Sequence, residues 1–377
     1  MGISKQFRTV VVTAAASTMA LVHAQGVTSN EVVLGQSVYL TGALAELGND
    51  FTNGANAYFR KINDAGGVHG RKVRVVTRDD AYDPQRALAN VHELEKKVFA
   101  LFQFAGTGTV REVSAVAAAR QIPLVAAVAT GPRLRAEHNP YTWYVRAGST
   151  EELEAIVNHL MTVGNKRVAT VHVDAPYGTE GLEAVQAIVA RKGGHLVASA
   201  VMKTTGEGAD QAARELLAAG PQAVVMITVP AASKAFISAA KQVRLRSTLY
   251  SLNAGLPIGA MRDLGQHAHG VIVTQVMPSI ERQAIPVVRE YRQDYLAAGH
   301  TGFSSASLEG YINAMVMVEA LRRAGSNPTR PALARALDSM DSYDVGGFKV
   351  QYSNADHGGS RAVELSIGSV NGEKFIY

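Results

Sequence analysis

Two threonines and two glycines separate an apolar run from a helical pattern near residue 106. Residues 99 to 104 are apolar apart from Gln103 and read as a buried strand that stops at Gly106-Thr107-Gly108-Thr109. Val110, Val113, Val116 and Ala117 then recur at helical spacing. A tight turn between a buried strand and a helix offers backbone N–H groups, hydroxyls and the positive end of a helix dipole. That chemistry suits a carboxylate or a phosphate. The stretch is not a dinucleotide fingerprint, because Arg111 stands near the place of the third glycine. Taken alone, it fits either an anion site or a turn that simply requires small residues.

Other reactive groups do not assemble into a catalytic pattern. Asp79-Asp80 fits a strand end better than an acid–base pair. His172 and Asp174 alternate on a strand and share a face, which suits a hydrogen bond at the strand end. His267 and His269 flank a turn and read as surface residues. No nucleophile elbow, zinc-protease helix motif or phosphate loop occurs. Tyr177, directly after a strand, could stack on a ligand or pack under its own loop. Thr130, after the following strand of the first series, could add a hydroxyl to the anion site or start a turn.

The elements that must position these residues alternate. Strands are expected at 32–38, 73–77, 99–104 and 122–127, with helices between them, and Asp83-Pro84 forms a cap and first helical residue. Residues 144–146 read as a strand that leaves this unit, and Ser149 with Glu152 as a capping box. A second series places strands at 167–173, 195–202, 223–228, 248–251 and 271–275, with a loop over 174–178 and a helix from 179. Helices follow near 286–298, 305–324 and 329–340, then short strands around Asn371-Gly372. This is a parallel α/β pattern in two units, with a ligand site expected where strand ends face each other.

The totals narrow the class. The chain has 377 residues, 47% hydrophobic and 18% charged, so it is globular and long enough for two domains. Its formal charge is +5, but lysines and arginines are scattered, which argues against a nucleic-acid partner. Lys5 and Arg8 precede an apolar segment, 10–22, and Val22-His23-Ala24 reads as a cleavage site, so residues 1–24 are expected to be a signal peptide. There is no cysteine, hence no disulfide and no lipid-bearing cysteine at that site. The expected location is the periplasm.

Several motifs then line up in order: Leu40-Thr41-Gly42 with Gly48; Ile62-Asn63-Asp64-Ala65-Gly66-Gly67-Val68-His69-Gly70-Arg71-Lys72; Asp79-Asp80 with Asp83-Pro84; Ile122-Pro123-Leu124; Val145-Arg146; and Tyr177-Gly178. In these the chain resembles the type I periplasmic substrate-binding proteins of ABC importers, in the leucine/isoleucine/valine-binding branch. The resemblance implies two Rossmann-like lobes joined by three hinge crossings, opening and closing like a flytrap. Lobe 1 is expected over 25–145 plus 277–341, and lobe 2 over 146–276 plus 342–377. It also implies a non-enzymatic monomer without cofactor or metal, partnered by a small carboxylate ligand and an inner-membrane permease. A ligand sensor of the same fold feeding a signalling partner is the alternative.

By that resemblance the ligand carboxylate is held at Gly106 and Thr107 and at Val128, Ala129 and Thr130. Tyr177 covers the ligand from the second lobe, and a further contact falls at Val229. Amino-acid binders of this kind hold the ammonium with an acidic residue, and Asn253 takes that place here. An uncompensated buried ammonium is costly. The expected ligand is therefore a carboxylate without an ammonium, with Asn253 bonding a neutral polar group.

Overall fold

The structure is a computed structural model that describes residues 24–377, so the expected signal segment lies outside it apart from Ala24. The first unit runs β1 (Glu31–Val38), α1 (Ala45–Asp64), β2 (Lys72–Asp79), α2 (Pro84–Leu94), β3 (Ala100–Phe102), α3 (Thr107–Arg120), β4 (Leu124–Val125) and α4 (Pro132–Ala136). The second runs α5 (Ser149–Thr162), β5 (Arg167–Val173), α6 (Pro176–Arg191), β6 (His195–Met202), α7 (Ala209–Ala219), β7 (Ala223–Ile227), α8 (Pro230–Gln242), β8 (Thr248–Ser251), α9 (Ile258–Leu264) and β9 (Ile272–Gln275). Then follow α10 (Pro286–Ala297), α11 (Ser305–Ala324), α12 (Arg330–Asp338), β10 (Tyr343–Asp344), β11 (Lys349–Val350), β12 (Glu364–Gly368) and β13 (Phe375–Ile376).

Among the described residues the strands form one large sheet per lobe and a separate antiparallel pair, β10-β11. The first sheet has the order β2-β1-β3-β4 and is parallel. The second has the order β13-β12-β9-β8-β7-β5-β6, with β12 antiparallel to both its neighbours. Strands buried on both faces read as continuous apolar runs, and their side chains divide by alternation. Leu34, Ala100 and Phe102 enter the core shared with α1, α10 and α11, whereas Val33 and Leu101 enter the core under α2 and α3. In the second lobe Val171 and Val224 face α7 and α8, and Val168 and Val225 face α5 and α6.

The chain passes between the lobes three times: before α5, after β9 and between β11 and β12. Residues 345–352 do not sit with the second lobe, where the expected boundary put them. Val345, Phe348, Val350 and Tyr352 are buried in the first lobe's core, and the last crossing comes after them. Residues 144–146 are not a strand. Tyr144 and Val145 instead bond to the last crossing, with Tyr144 N donating to His357 O at 2.9 Å and Ser360 N to Val145 O at 2.8 Å.

Local chemistry sets the element ends. Asp83 accepts hydrogen bonds from the amides of Gln85 (2.8 Å) and Arg86 (3.4 Å), with Pro84 first in the helix. At α5 the cap lies one residue earlier than expected: Gly148 is the N-cap and its amide donates to Glu151 at 3.0 Å, which releases Glu152 for another role. α1 and α11 cross closely because Gly54 and Gly310 carry no Cβ; one added at Gly310 would lie 2.0 Å from the Phe51 carbonyl. This crossing brings the first turns of α11 to the lobe boundary.

Candidate functional site

A cavity of about 260 Å³ lies between the lobes, at the carboxyl ends of strands from both sheets. Seven of the eight expected site residues line it: Gly106, Thr107, Val128, Thr130, Tyr177, Val229 and Asn253. Ala129 does not. It alternates with Val128 and Thr130 along an extended segment, so it points the other way, into the first lobe's core.

The 106–109 turn is built as an anion-facing helix start, with one difference from expectation. Gly106 is the N-cap of α3 with φ +106°, a conformation that favours glycine, and a Cβ there would meet the Tyr82 ring at 2.8 Å. Its own amide is not free for a ligand, because it donates to Val128 O at 2.9 Å and continues the β3–β4 ladder. The amides that follow at Thr107, Gly108 and Thr109 begin the helix and have no intrahelical carbonyl to bond. The Thr107 hydroxyl accepts from the Gly131 amide at 3.1 Å. That bond uses one of the oxygen's two lone pairs and leaves the O–H free to turn towards the cavity and donate.

The second lobe supplies different chemistry. Tyr177 lies in the first turn of α6 and not in a loop, because the helix starts at Pro176. Its hydroxyl is buried and finds no hydrogen-bond partner among the described residues. Burial, and then the nearby Glu152 carboxylate, push its pKa well above the ordinary tyrosine value. Asn253 follows β8. Its side-chain amide donates to Gln275 Oε1 at 3.3 Å, and its backbone N–H donates to Glu152 Oε2 at 2.8 Å and Thr274 Oγ1 at 2.9 Å.

Beneath these residues sits a buried charge cluster that the sequence analysis did not place in the site. Arg146, 3% exposed, reaches Glu152 at 3.2 Å and Glu309 at 3.4 Å. Glu152 comes from α5, Glu309 from α11 and Arg146 from the first crossing, so the cluster ties both lobes to the hinge. Burial raises the pKa of both carboxyls, with Arg146 pulling the other way. Burial also opposes the Arg146 cation, but Glu309 and Glu152 outweigh it and hold its pKa above the ordinary arginine value. Glu152 is filled by Arg146, Asn253 and Thr274. Glu309 is not: its Oε1 is buried and accepts from no described residue. Glu309 had a signal, since it is the one charged residue between Ser304 and Val318 in an otherwise helical apolar stretch.

Tyr39, Tyr82, Asp50, Ser304, Lys234 and Phe375 complete much of the wall. The lobes touch across its rim. Arg111 bonds Glu180 at 2.6 Å, and Arg133 bonds Glu183 at 2.8 Å. The other polar candidates have structural partners. Asp80 accepts from Ser37 at 2.8 Å and His172 meets Ser199 at 3.3 Å.

A model of the family described as periplasmic binding protein matches residues 31–372. The chain belongs to that family. It is similar to an extracellular ligand-binding receptor from Verminephrobacter eiseniae, with a TM-score of 0.85, 28% identity, and coverage of 92% of this chain and 100% of that one. It is 24% identical to Leu/Ile/Val-binding protein homolog 7 of Brucella suis over 364 residues, covering 90% of each chain. A match to homolog 3 of Brucella melitensis has 28% identity over 169 residues, which is 44% of this chain and 45% of that protein. The fold is the two-lobed type I periplasmic binding protein. Among the described residues no helix is long and apolar enough to cross a membrane.

Proposed function

We propose that this protein is the solute-capturing component of an ABC importer, working in the periplasm and presenting a small carboxylate-bearing ligand to a membrane permease. The observation that carries the reading is the start of α3 in the interlobe cavity. There the helix amides and the Thr107 hydroxyl face the same space as Thr130. A carboxylate suits that arrangement because it accepts from N–H and O–H donors and favours the positive helix end. Val128 and Val229 form apolar wall on opposite lobes, and Tyr177 covers the ligand from the second. We assign residues 25–145 and 277–352 to the first lobe, and 146–276 and 353–377 to the second.

Closure follows from linkage. A ligand touching both lobes binds the closed form better and shifts the population towards it. The test is a thermal-shift screen of the purified mature protein against amino acids and plain carboxylic acids. At least one carboxylate should raise the melting temperature, and Thr107→Val should remove most of that rise. If no carboxylate does so, the reading fails.

A further inference from the structure

We infer that the ligand is a zwitterion whose ammonium is held by Glu309, from the first lobe, instead of by a second-lobe carboxylate. This rests on the carboxylate-binding reading above and adds the other end of the ligand. The Asn253 position is neutral, and its side-chain nitrogen donates one hydrogen bond to Gln275 Oε1 at 3.3 Å. That alone argued for an acid without an amine. The folded chain changes the balance by bringing Glu309 into the same cavity from α11.

Three observations point to a cation there. Glu309 is 2% exposed, yet its Oε1 accepts from no described residue. A buried carboxylate oxygen left bare carries the full desolvation cost of that group, and a ligand N–H removes it. The cluster also carries excess negative charge, because one arginine faces two carboxylates. Arg146 is thereby committed on both sides, with its Nε donating to Ala147 O at 3.3 Å, so it does not call for a ligand anion. Finally, the wall beyond the cluster is acidic: Glu46, Asp50 and Asp263 line the cavity against Lys234, which pairs with Asp263 at 2.6 Å. An anion at the α3 end and a cation at the Glu309 end make one ligand of no net charge.

The experiment compares matched pairs by calorimetry on the purified mature protein: leucine against 4-methylpentanoate, and phenylalanine against 3-phenylpropanoate. The amino acid of at least one pair should bind tenfold or more tightly than its amine-free partner. Glu309→Gln should weaken the amino acid by ~30-fold or more while leaving the plain acid within about threefold. Tighter binding of the plain acids by the wild-type protein overturns this inference and leaves the carboxylate reading standing. Binding of neither member of either pair, while another plain carboxylate in the thermal-shift screen binds, also overturns this inference; the carboxylate reading falls only if that whole screen is silent. The wild-type comparison needs no variant, so a Glu309→Gln protein that fails to fold does not shield the claim.

Discussion

Two acidic sites at the cavity end of the first lobe meet their hydrogen-bonding needs in opposite ways. Asp79 accepts from the amides of Leu40 (2.9 Å), Thr41 (3.3 Å) and Ala81 (2.9 Å), and from the Thr41 hydroxyl (2.6 Å). Its neighbour Asp80 accepts from the Ser37 hydroxyl and from the Tyr82 amide at 2.9 Å. These carboxylates are filled by the loops they hold. Glu309 has one 3.4 Å ion pair and a bare oxygen. A carboxylate saturated by its own turn shapes the protein, whereas one buried with an acceptor unused is available to a ligand. The strand-end role expected for the adjacent aspartates fits this saturation, whereas the sequence reading did not single out Glu309.

The largest expected effect comes from breaking the charge balance of the second kind of site. Arg146→Ala leaves Glu152 and Glu309 buried without their shared cation, and should lower stability by about 3–5 kcal/mol. Denaturant titration measures it; a loss below about 1 kcal/mol would mean that the cluster is not held by that arginine. Asp79→Asn should act on the other side of the comparison, costing about 1–2 kcal/mol of stability with little change in ligand affinity. Glu309→Gln should show the reverse pattern, and similar behaviour of the two variants would erase the distinction drawn between them.

Acid should report on the saturated site. Burial alone would raise the Asp79 pKa, but hydrogen bonds from Thr41, Ala81 and Leu40 outweigh it and bring it from the ordinary 3.8 down to about 2. A folded pKa below the unfolded one gives stability that is fully present above about pH 4 and lost as pH falls towards 2. The wild-type protein should therefore lose stability over that window more steeply than Asp79→Asn, read from melting temperatures across the range. The smallest effect is expected at the start of α11. Ser304 accepts from the Ser307 amide at 3.0 Å and donates to Asp50 at 2.6 Å, so Ser304→Ala should cost about 1 kcal/mol. A larger change in ligand affinity than in stability there would show that this cap is part of the binding surface.

Much of the architecture was legible because its signals are local. Short apolar runs gave β5, β6 and β8 at their observed limits, and Asp83-Pro84 marked the start of α2. Asn371-Gly372 forms the expected turn between β12 and β13, with Gly372 at φ +72°. Errors came where one residue of register decides the outcome. Ala129 was grouped with Val128 and Thr130, although alternation turns it into the core. Glu152 was read as a cap, although Glu151 fills that place. Residues 144–146 have the composition of a strand, but their backbone groups bond to the returning chain at His357 and Ser360, which local pattern does not reveal.

The sequence by itself determined the two α/β units and the small-residue turn at 106–109, and it named seven residues of the cavity wall. Periodicity, caps and turn residues act over a few neighbours, and those are visible in one dimension. The tertiary structure decided which charges meet. Arg146 and Glu309 are separated by 163 positions, and their pairing exists because α11 crosses α1 at glycines and returns to the first crossing. Whether a buried carboxylate is satisfied depends on every donor around it, and those donors come from both lobes and the hinge.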